Sequence, residues 1–281
     1  MCATCGCGDD DAAVITLPHE HEHEHEHGHE HEHEHGHEHE PHRHSHGHGD
    51  DHVHLPVTET ITLEQKVLAK NDLLAQRNRD WLAARDILAL NMTSSPGAGK
   101  TTLLERTIRE STEIPIAVIE GDQATLLDAE RIGATGCRVV QINTGAGCHL
   151  DAEMTYRALE SLDPAPGTLL FIENVGNLVC PALFDLGERG KVVVISVTEG
   201  TDKPLKYPHM FAAASLVLVN KIDLLPYVDF DLGRCREYAA SINPHAQILP
   251  LSVTSGSGMA QWYDWLRRQR SATIEDHSPA T

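Results

Sequence analysis

The segment from Ile87 to Glu110 constrains the fold more than any other. Ile87-Leu88-Ala89-Leu90-Asn91-Met92 reads as a buried strand. It leads into Ser94-Ser95-Pro96-Gly97-Ala98-Gly99-Lys100-Thr101, and Thr102 to Glu110 then reads as a helix. A glycine-rich turn between a buried strand and a helix turns successive backbone N–H groups and the positive helix end outward, a cradle for polyphosphate. Lys100 would reach the β- and γ-phosphates and the Thr101 hydroxyl would hold Mg2+, with Pro96, Gly97, Ala98, Gly99 and Thr102 completing the contacts. Ser94 stands where this pattern has its first glycine.

The rest of the chain alternates. Ile116 to Ile119, Val139 to Ile142, Leu169 to Ile172, Val192 to Val197, Leu216 to Val219 and Ile248 to Leu251 read as buried strands with helical or loop segments between them. That alternation predicts an α/β fold, a mostly parallel, doubly wound sheet with helices on both faces. Ligands then gather at the carboxyl ends of the strands. Upstream, Leu63, Val67, Leu68, Asn71, Leu74, Asn78 and Leu82 approximate helical spacing, with Thr62 placed to cap the start. The expected organisation is a tail over 1–56, a helical arm over 57–86, the nucleotide domain over 87–272 and a flexible end over 273–281. About 220 foldable residues suit a single α/β domain.

Asn220-Lys221-Ile222-Asp223 follows the strand ending at Val219. Downstream of a phosphate loop, N-K-x-D reads guanine: the Asp223 carboxylate accepts from the ring N1–H and the exocyclic amine, a donor pair adenine lacks. Asn220 and Lys221 support the loop and the ring, and Ser252 and Val253 would close the base pocket through their backbone. The expected cofactors are therefore GTP/GDP with Mg2+, and the fold is a P-loop GTPase. Between the two motifs, Asp122 would coordinate Mg2+ or orient the attacking water, Glu173 takes the usual acidic position of D-x-x-G, and Gly176 would offer its N–H to the γ-phosphate. The plain alternative for both acids is a solvated strand end. No glutamine matches the water-positioning residue of fast GTPases, so slow intrinsic hydrolysis is expected.

The N-terminal region has a different chemistry. Seventeen of the 21 histidines lie between His19 and His54, mostly alternating with glutamate. A run whose one aliphatic residue is Val53 has almost nothing to bury and should stay solvated. Imidazole is the neutral side chain that Ni2+, Cu2+ and Zn2+ favour, so low-affinity binding of several ions is the leading reading and an inert tail or added tag the alternative. Ahead of the tract, Cys2, Cys5 and Cys7 form C-x-x-C-G-C, where three sulfurs can converge on one soft or borderline ion; a redox pair is the alternative. Net charge is −20, and the stretch up to His54 contributes most of it, with fourteen Asp or Glu against Arg43 alone. Such acidity repels nucleic acid and anionic membrane, so neither is an expected partner. No basic region followed by an apolar run marks a leader, and no apolar run approaches the ~20 residues that span a bilayer. The cysteines are thus expected in a reducing cytoplasm, as metal ligands or redox groups.

Cys148-His149 follows Gly145-Ala146-Gly147 at what reads as the start of a helix, and Cys180-Pro181 follows the Glu173 loop. With both segments at the carboxyl ends of neighbouring strands, the three side chains could share one Zn2+ or Ni2+. Spacing alone leaves open that Cys148 and Cys180 are ordinary small buried residues. Cys137 and Cys235 have no ligand-like neighbours.

Together these residues resemble the HypB family of nickel-incorporation GTPases. The motifs that carry the resemblance are C-x-x-C-G-C, the histidine tract, Lys66-Val67-Leu68-Ala69-Lys70-Asn71-Asp72, Ser94 to Thr101, Cys148-His149-Leu150-Asp151, Glu173 to Pro181 and Asn220 to Asp223. The resemblance implies a GTP-dependent homodimer that passes nickel toward the nickel–iron hydrogenase large-subunit precursor with a HypA-type nickel/zinc partner. It implies a tight nickel site at Cys2, Cys5 and Cys7, and a second site, Cys148, His149 and Cys180, at the dimer interface. Related dimeric P-loop proteins often carry a second lysine early in the phosphate loop. Ser94, Ser95 and Pro96 occupy that stretch here, so no cross-dimer lysine is expected from it.

Overall fold

A computed structural model describes residues 14–16, 57–123 and 126–277. Seven strands form a parallel sheet: β2 (Leu88–Ser94), β3 (Ile116–Asp122), β4 (Arg138–Asn143), β5 (Leu169–Glu173), β6 (Gly190–Ser196), β7 (Ala214–Asn220) and β8 (Gln247–Pro250). The short strand β1 (Val14–Thr16) pairs antiparallel with β4, giving the order β1-β4-β3-β5-β2-β6-β7-β8. The sequence reading expects no element before residue 57. Val14-Ile15-Thr16 is a β-branched triplet in the short apolar stretch Ala12 to Leu17, a composition that suits a pleated edge.

The central strands are buried on both faces, which is why they read as continuous apolar runs and not as alternating ones. On one face, Leu90, Val118, Phe171 and Leu218 pack against α2 (Lys100–Glu110), α3 (Leu127–Gly133) and α8 (Met259–His277). The stacked rings of Trp262 and Trp265 lie there, 5.7 Å between centroids, and the buried Trp262 Nε1 donates to Thr107 Oγ1 at 2.9 Å. On the other face, Ala117, Ile119, Val140 and Ile172 meet α1 (Val57–Ala83) and α4 (Ala152–Leu162). Val193, Ile195 and Val217 meet α6 (Pro208–Ala213) and α7 (Leu232–Ile242), while the short α5 (Lys203–Lys206) leads into α6.

Helix α1 starts at Val57, so Thr62 lies inside it and does not cap it. Its inward stripe is Asn71, Ala75, Asn78 and Leu82, at helical spacing, and two of the four are polar. The helix docks closely on the loop between β5 and β6. Gly187 has φ +89°, and a Cβ there would fall 2.6 Å from the Ala75 carbonyl oxygen and from Asn78 Cβ. Gly187→Ala therefore combines left-handed backbone strain with a clash against helix backbone. It should cost about 1–3 kcal/mol or more and loosen α1. Urea unfolding and hydrogen exchange of α1 amides check this, and wild-type stability with unchanged α1 protection would contradict it.

Candidate functional site

The phosphate loop lies at the carboxyl end of β2, the central strand, with β5 on one side and β6 on the other. Gly97 and Gly99 take φ +72° and +99°, which an L side chain rarely adopts. A Cβ on Gly99 would also meet Asn220 Nδ2 at 2.6 Å. Lys100 Nζ donates to Ser94 Oγ at 2.9 Å, so the serine in place of the first glycine holds the lysine. Gly176 packs on this loop, where a Cβ would come within 3.3 Å of Pro96 Cα.

Beside the loop, two carboxyl groups are buried. Glu120 and Glu173 are direct register partners on β3 and β5, 2 % and 3 % exposed. Glu173 Oε1 accepts from Thr101 Oγ1 at 2.7 Å and lies 4.0 Å from Lys100 Nζ. Burial still raises the Glu173 pKa, against the pull of Lys100 and the Thr101 hydrogen bond. Glu120, with the Gln141 side chain on its other flank, is pushed up to about 9 by burial, then by the charges of Glu173 and Asp122. One oxygen of each, Oε2, is buried without a hydrogen-bond partner. Unsatisfied buried oxygens beside a threonine hydroxyl form a donor set that suits a hard cation such as Mg2+, so Thr101 and Glu173 fit it. Asp122, two residues beyond Glu120 on the same face of β3, has Oδ1 accepting from Gln123 N at 2.7 Å.

The Asn220–Asp223 segment is tied to the same loop. Asn220 Nδ2 donates to the Ala98 carbonyl at 2.8 Å, and Lys221 Nζ to the Gly97 carbonyl at 2.8 Å. Asn220 Oδ1 accepts from Lys221 N (2.7 Å) and Val253 N (3.3 Å), and Ser252 Oγ accepts from Ser255 N at 3.0 Å. Arg106 donates to the Val253 carbonyl. The Asp223 side chain stays exposed in the 3-10 turn Ile222–Tyr227 that follows.

Cys148, His149 and Cys180 converge. Their ligand atoms lie within 4.8 Å of one another, with Cys148 Sγ 2.9 Å from Cys180 Sγ and 3.7 Å from His149 Nδ1. Two sulfurs on a tetrahedral ion with bonds of about 2.3 Å stand ~3.8 Å apart, so an ion would part this thiol pair by under an ångström. The His149 ring stacks on Phe184 at 4.0 Å, and burial lowers its pKa, favouring the neutral, ligating form. Burial pushes the thiols of Cys137 and Cys235 up to about 12 and about 11, which keeps both protonated and unreactive.

Two expectations about this centre are corrected. The ligand-bearing strands β4 and β5 are not neighbours, because β3 runs between them. The loop after β4 instead crosses the end of β3, and Leu150 packs where a Gly121 side chain would be, 2.8 Å from its Cβ position. Nor do Cys148 and His149 start a helix. They lie in the loop ahead of α4, whose cap is Asp151, accepting from Met154 N at 2.8 Å.

A P-loop tied to an N-K-x-D loop at the carboxyl edge of a parallel sheet defines a nucleotide-binding α/β protein. Residues 88–250 match the family described as CobW/HypB/UreG, nucleotide-binding domain. The chain is 59% identical over 213 residues to the hydrogenase maturation factor HypB of Escherichia coli K12, covering 75% of this chain and 73% of that one. The crystal structure of hydrogenase maturation factor HypB from Archaeoglobus fulgidus superposes with a TM-score of 0.68 at 41% identity, over 72% of this chain and 99% of that one. That of HypB from Helicobacter pylori in complex with nickel gives 0.68 at 35%, over 75% and 99%. The chain belongs to the CobW/HypB/UreG family, and within it to HypB.

Cys2, Cys5, Cys7 and the tract from His19 to His54 lie outside the described residues. Sequence reasoning missed Glu120 as a separate residue, although its period-2 spacing from Asp122 places both on one strand face. It also missed Lys203, whose Nζ donates to Ser95 Oγ at 3.0 Å and pairs with Glu199 at 2.9 Å; no local pattern marks that residue.

Glu120 supplies a pH test. An unfolded glutamate ionises near 4.5, whereas Glu120 in the fold holds its proton to about 9. Its contribution to stability is therefore complete below the unfolded value and drains as pH rises toward the folded one. Glu120→Gln removes this dependence. Between pH 6 and pH 8, without divalent cations, the variant should lose about 2 kcal/mol less than wild type. Equal losses in urea unfolding would show that Glu120 is not proton-linked.

Proposed function

We propose that the protein is a GTP-hydrolysing nickel metallochaperone. It binds nickel and delivers it to the nickel–iron hydrogenase large-subunit precursor, working in the cytoplasm as a GTP-dependent homodimer with a HypA-type partner. Asn220, Lys221 and Asp223 select guanine. Lys100 and the phosphate loop hold the polyphosphate. Thr101 and Glu173, with Asp122, hold Mg2+, which supplies charge neutralisation at the phosphates when bound. Hydrolysis is slow, since no glutamine stands in a water-positioning place. Cys148, His149 and Cys180 take Ni2+ or Zn2+, Cys2, Cys5 and Cys7 form a tight nickel site, and the histidine tract stores nickel.

One observation supports coupling between the two chemistries. The segment that leaves β5 starts with Glu173 on Thr101, passes Gly176 on Pro96 and ends at Cys180. On the way, Asn174 Oδ1 accepts from Leu150 N at 3.2 Å and Asn177 Nδ2 donates to the Cys148 carbonyl at 3.1 Å. A contact made or lost at the γ-phosphate thus bears on both loops that carry the metal ligands. Family membership and the names of its relatives support the hydrogenase assignment.

The expected outcome is a nickel affinity at the internal site that differs at least about fivefold between GDP and a non-hydrolysable GTP analogue, with Asn177→Ala narrowing the difference. Equal affinities in the two nucleotide states would overturn the coupling. Deleting residues 19–54 should impair hydrogenase maturation only when nickel is scarce. Failure in nickel excess would assign the tract to transfer in place of storage.

A further inference from the structure

Helix α1 buries two asparagines in its middle, Asn71 at 5 % and Asn78 at 0 % exposure. Asparagine is a poor helix former, and a buried carboxamide costs stability unless it is hydrogen-bonded. An apolar pair would dock the helix as well. The asparagines offer what an apolar residue lacks, a donor and an acceptor on one rigid group.

Asn71 uses both. Its Oδ1 accepts from Ala152 N at 2.9 Å and its Nδ2 donates to the Asp185 carbonyl at 2.8 Å. Ala152 opens α4 three residues after His149, and its amide is one that the helix itself leaves without a partner. Asp185 lies five residues after Cys180 and directly follows Phe184, on which His149 stacks. One side chain therefore pins the segment leaving His149 to the segment leaving Cys180. Two contacts reinforce the span. Asn78 Nδ2 donates to the carbonyls of Ala152 (2.8 Å) and Leu186 (3.0 Å), and Arg79 makes a two-pronged bond to the Asp185 carboxylate at 2.7 and 3.0 Å.

We propose that Asn71 is a positioning residue for the Cys148–His149–Cys180 centre, fixing the separation of its two ligand-bearing loops from the neighbouring helix. The inference rests on the reading of that centre as a metal site. It extends the site to a residue more than seventy positions upstream, in an element that supplies no ligand. Residues that orient ligands typically change metal affinity by about ten- to a hundredfold when removed.

The test uses the full-length chain with Cys2→Ser, Cys5→Ser and Cys7→Ser, titrated with Co2+ alone. The thiolate-to-cobalt charge-transfer band reports the internal site, and imidazoles of the tract do not contribute to it. Asn71→Ala should weaken Co2+ binding at this band by about tenfold or more with unchanged GDP affinity. Asn71→Asp, which keeps the acceptor and loses the donor, should weaken it too, and it serves if the alanine variant does not fold. Asn243→Ala is the matched control. Asn243 Nδ2 lies 3.0–3.2 Å from the carbonyls of Phe211, Ala212 and Ala214, none of them in the two ligand-bearing loops, so its loss should lower thermal stability without moving the band. Wild-type cobalt affinity in both Asn71 variants, or a loss no greater than that of Asn243→Ala, overturns the positioning role. A Cys148→Ala variant that keeps the full band overturns the metal-site reading itself.

Discussion

Two hydrogen bonds join the Asn220–Asp223 loop to the phosphate loop, from Asn220 to the Ala98 carbonyl and from Lys221 to the Gly97 carbonyl. They bind the carbonyl side of a turn whose N–H side must stay free for an anion. Peptide groups point their two ends in opposite directions, so anchoring the carbonyls from the β7 side holds the amides toward the opening. The remaining geometry follows from that anchored turn. Gly176 can rest on Pro96, and Thr101 at the start of α2 comes within reach of Glu173.

The same corner of the sheet accepts an electrostatic cost. Glu120 and Glu173 face each other across adjacent strands in surroundings that resist ionising both, and each keeps an unsatisfied oxygen. A structure optimised for stability alone would place an apolar pair there, like the Val118–Phe171 pair two residues down the same register. These polar groups stand at the edge of an apolar sheet next to Lys100 and Thr101, so the unsatisfied oxygens border the phosphate loop.

Much of this was legible in the sequence, for an identifiable reason. Buried parallel strands are near-continuous apolar runs, and all seven expected strands form within three residues of their expected bounds. The phosphate and base motifs are local, so their positions follow from chain order. Strand adjacency is not local. Nothing between Val139 and Ile172 reveals that β3 separates β4 from β5, and the crossing shows only in the fit of Leu150 over Gly121. Thr62 looked like a helix start because apolar spacing begins beside it, whereas the helix begins at Val57. Glu120, Lys203 and Asn71 were hard to single out because their partners lie 53, 108 and 114 positions away in sequence.

The crossing of β3 by the loop after β4 has a consequence for when the Cys148–His149–Cys180 cluster exists. Its sulfurs come from loops on either side of an intervening strand, and Asn71, more than seventy positions upstream of Cys148, hydrogen-bonds the segment beyond each. The convergence of the three donors therefore depends on the assembled β4-β3-β5 part of the sheet, and it is a property of the folded domain and not of any one loop.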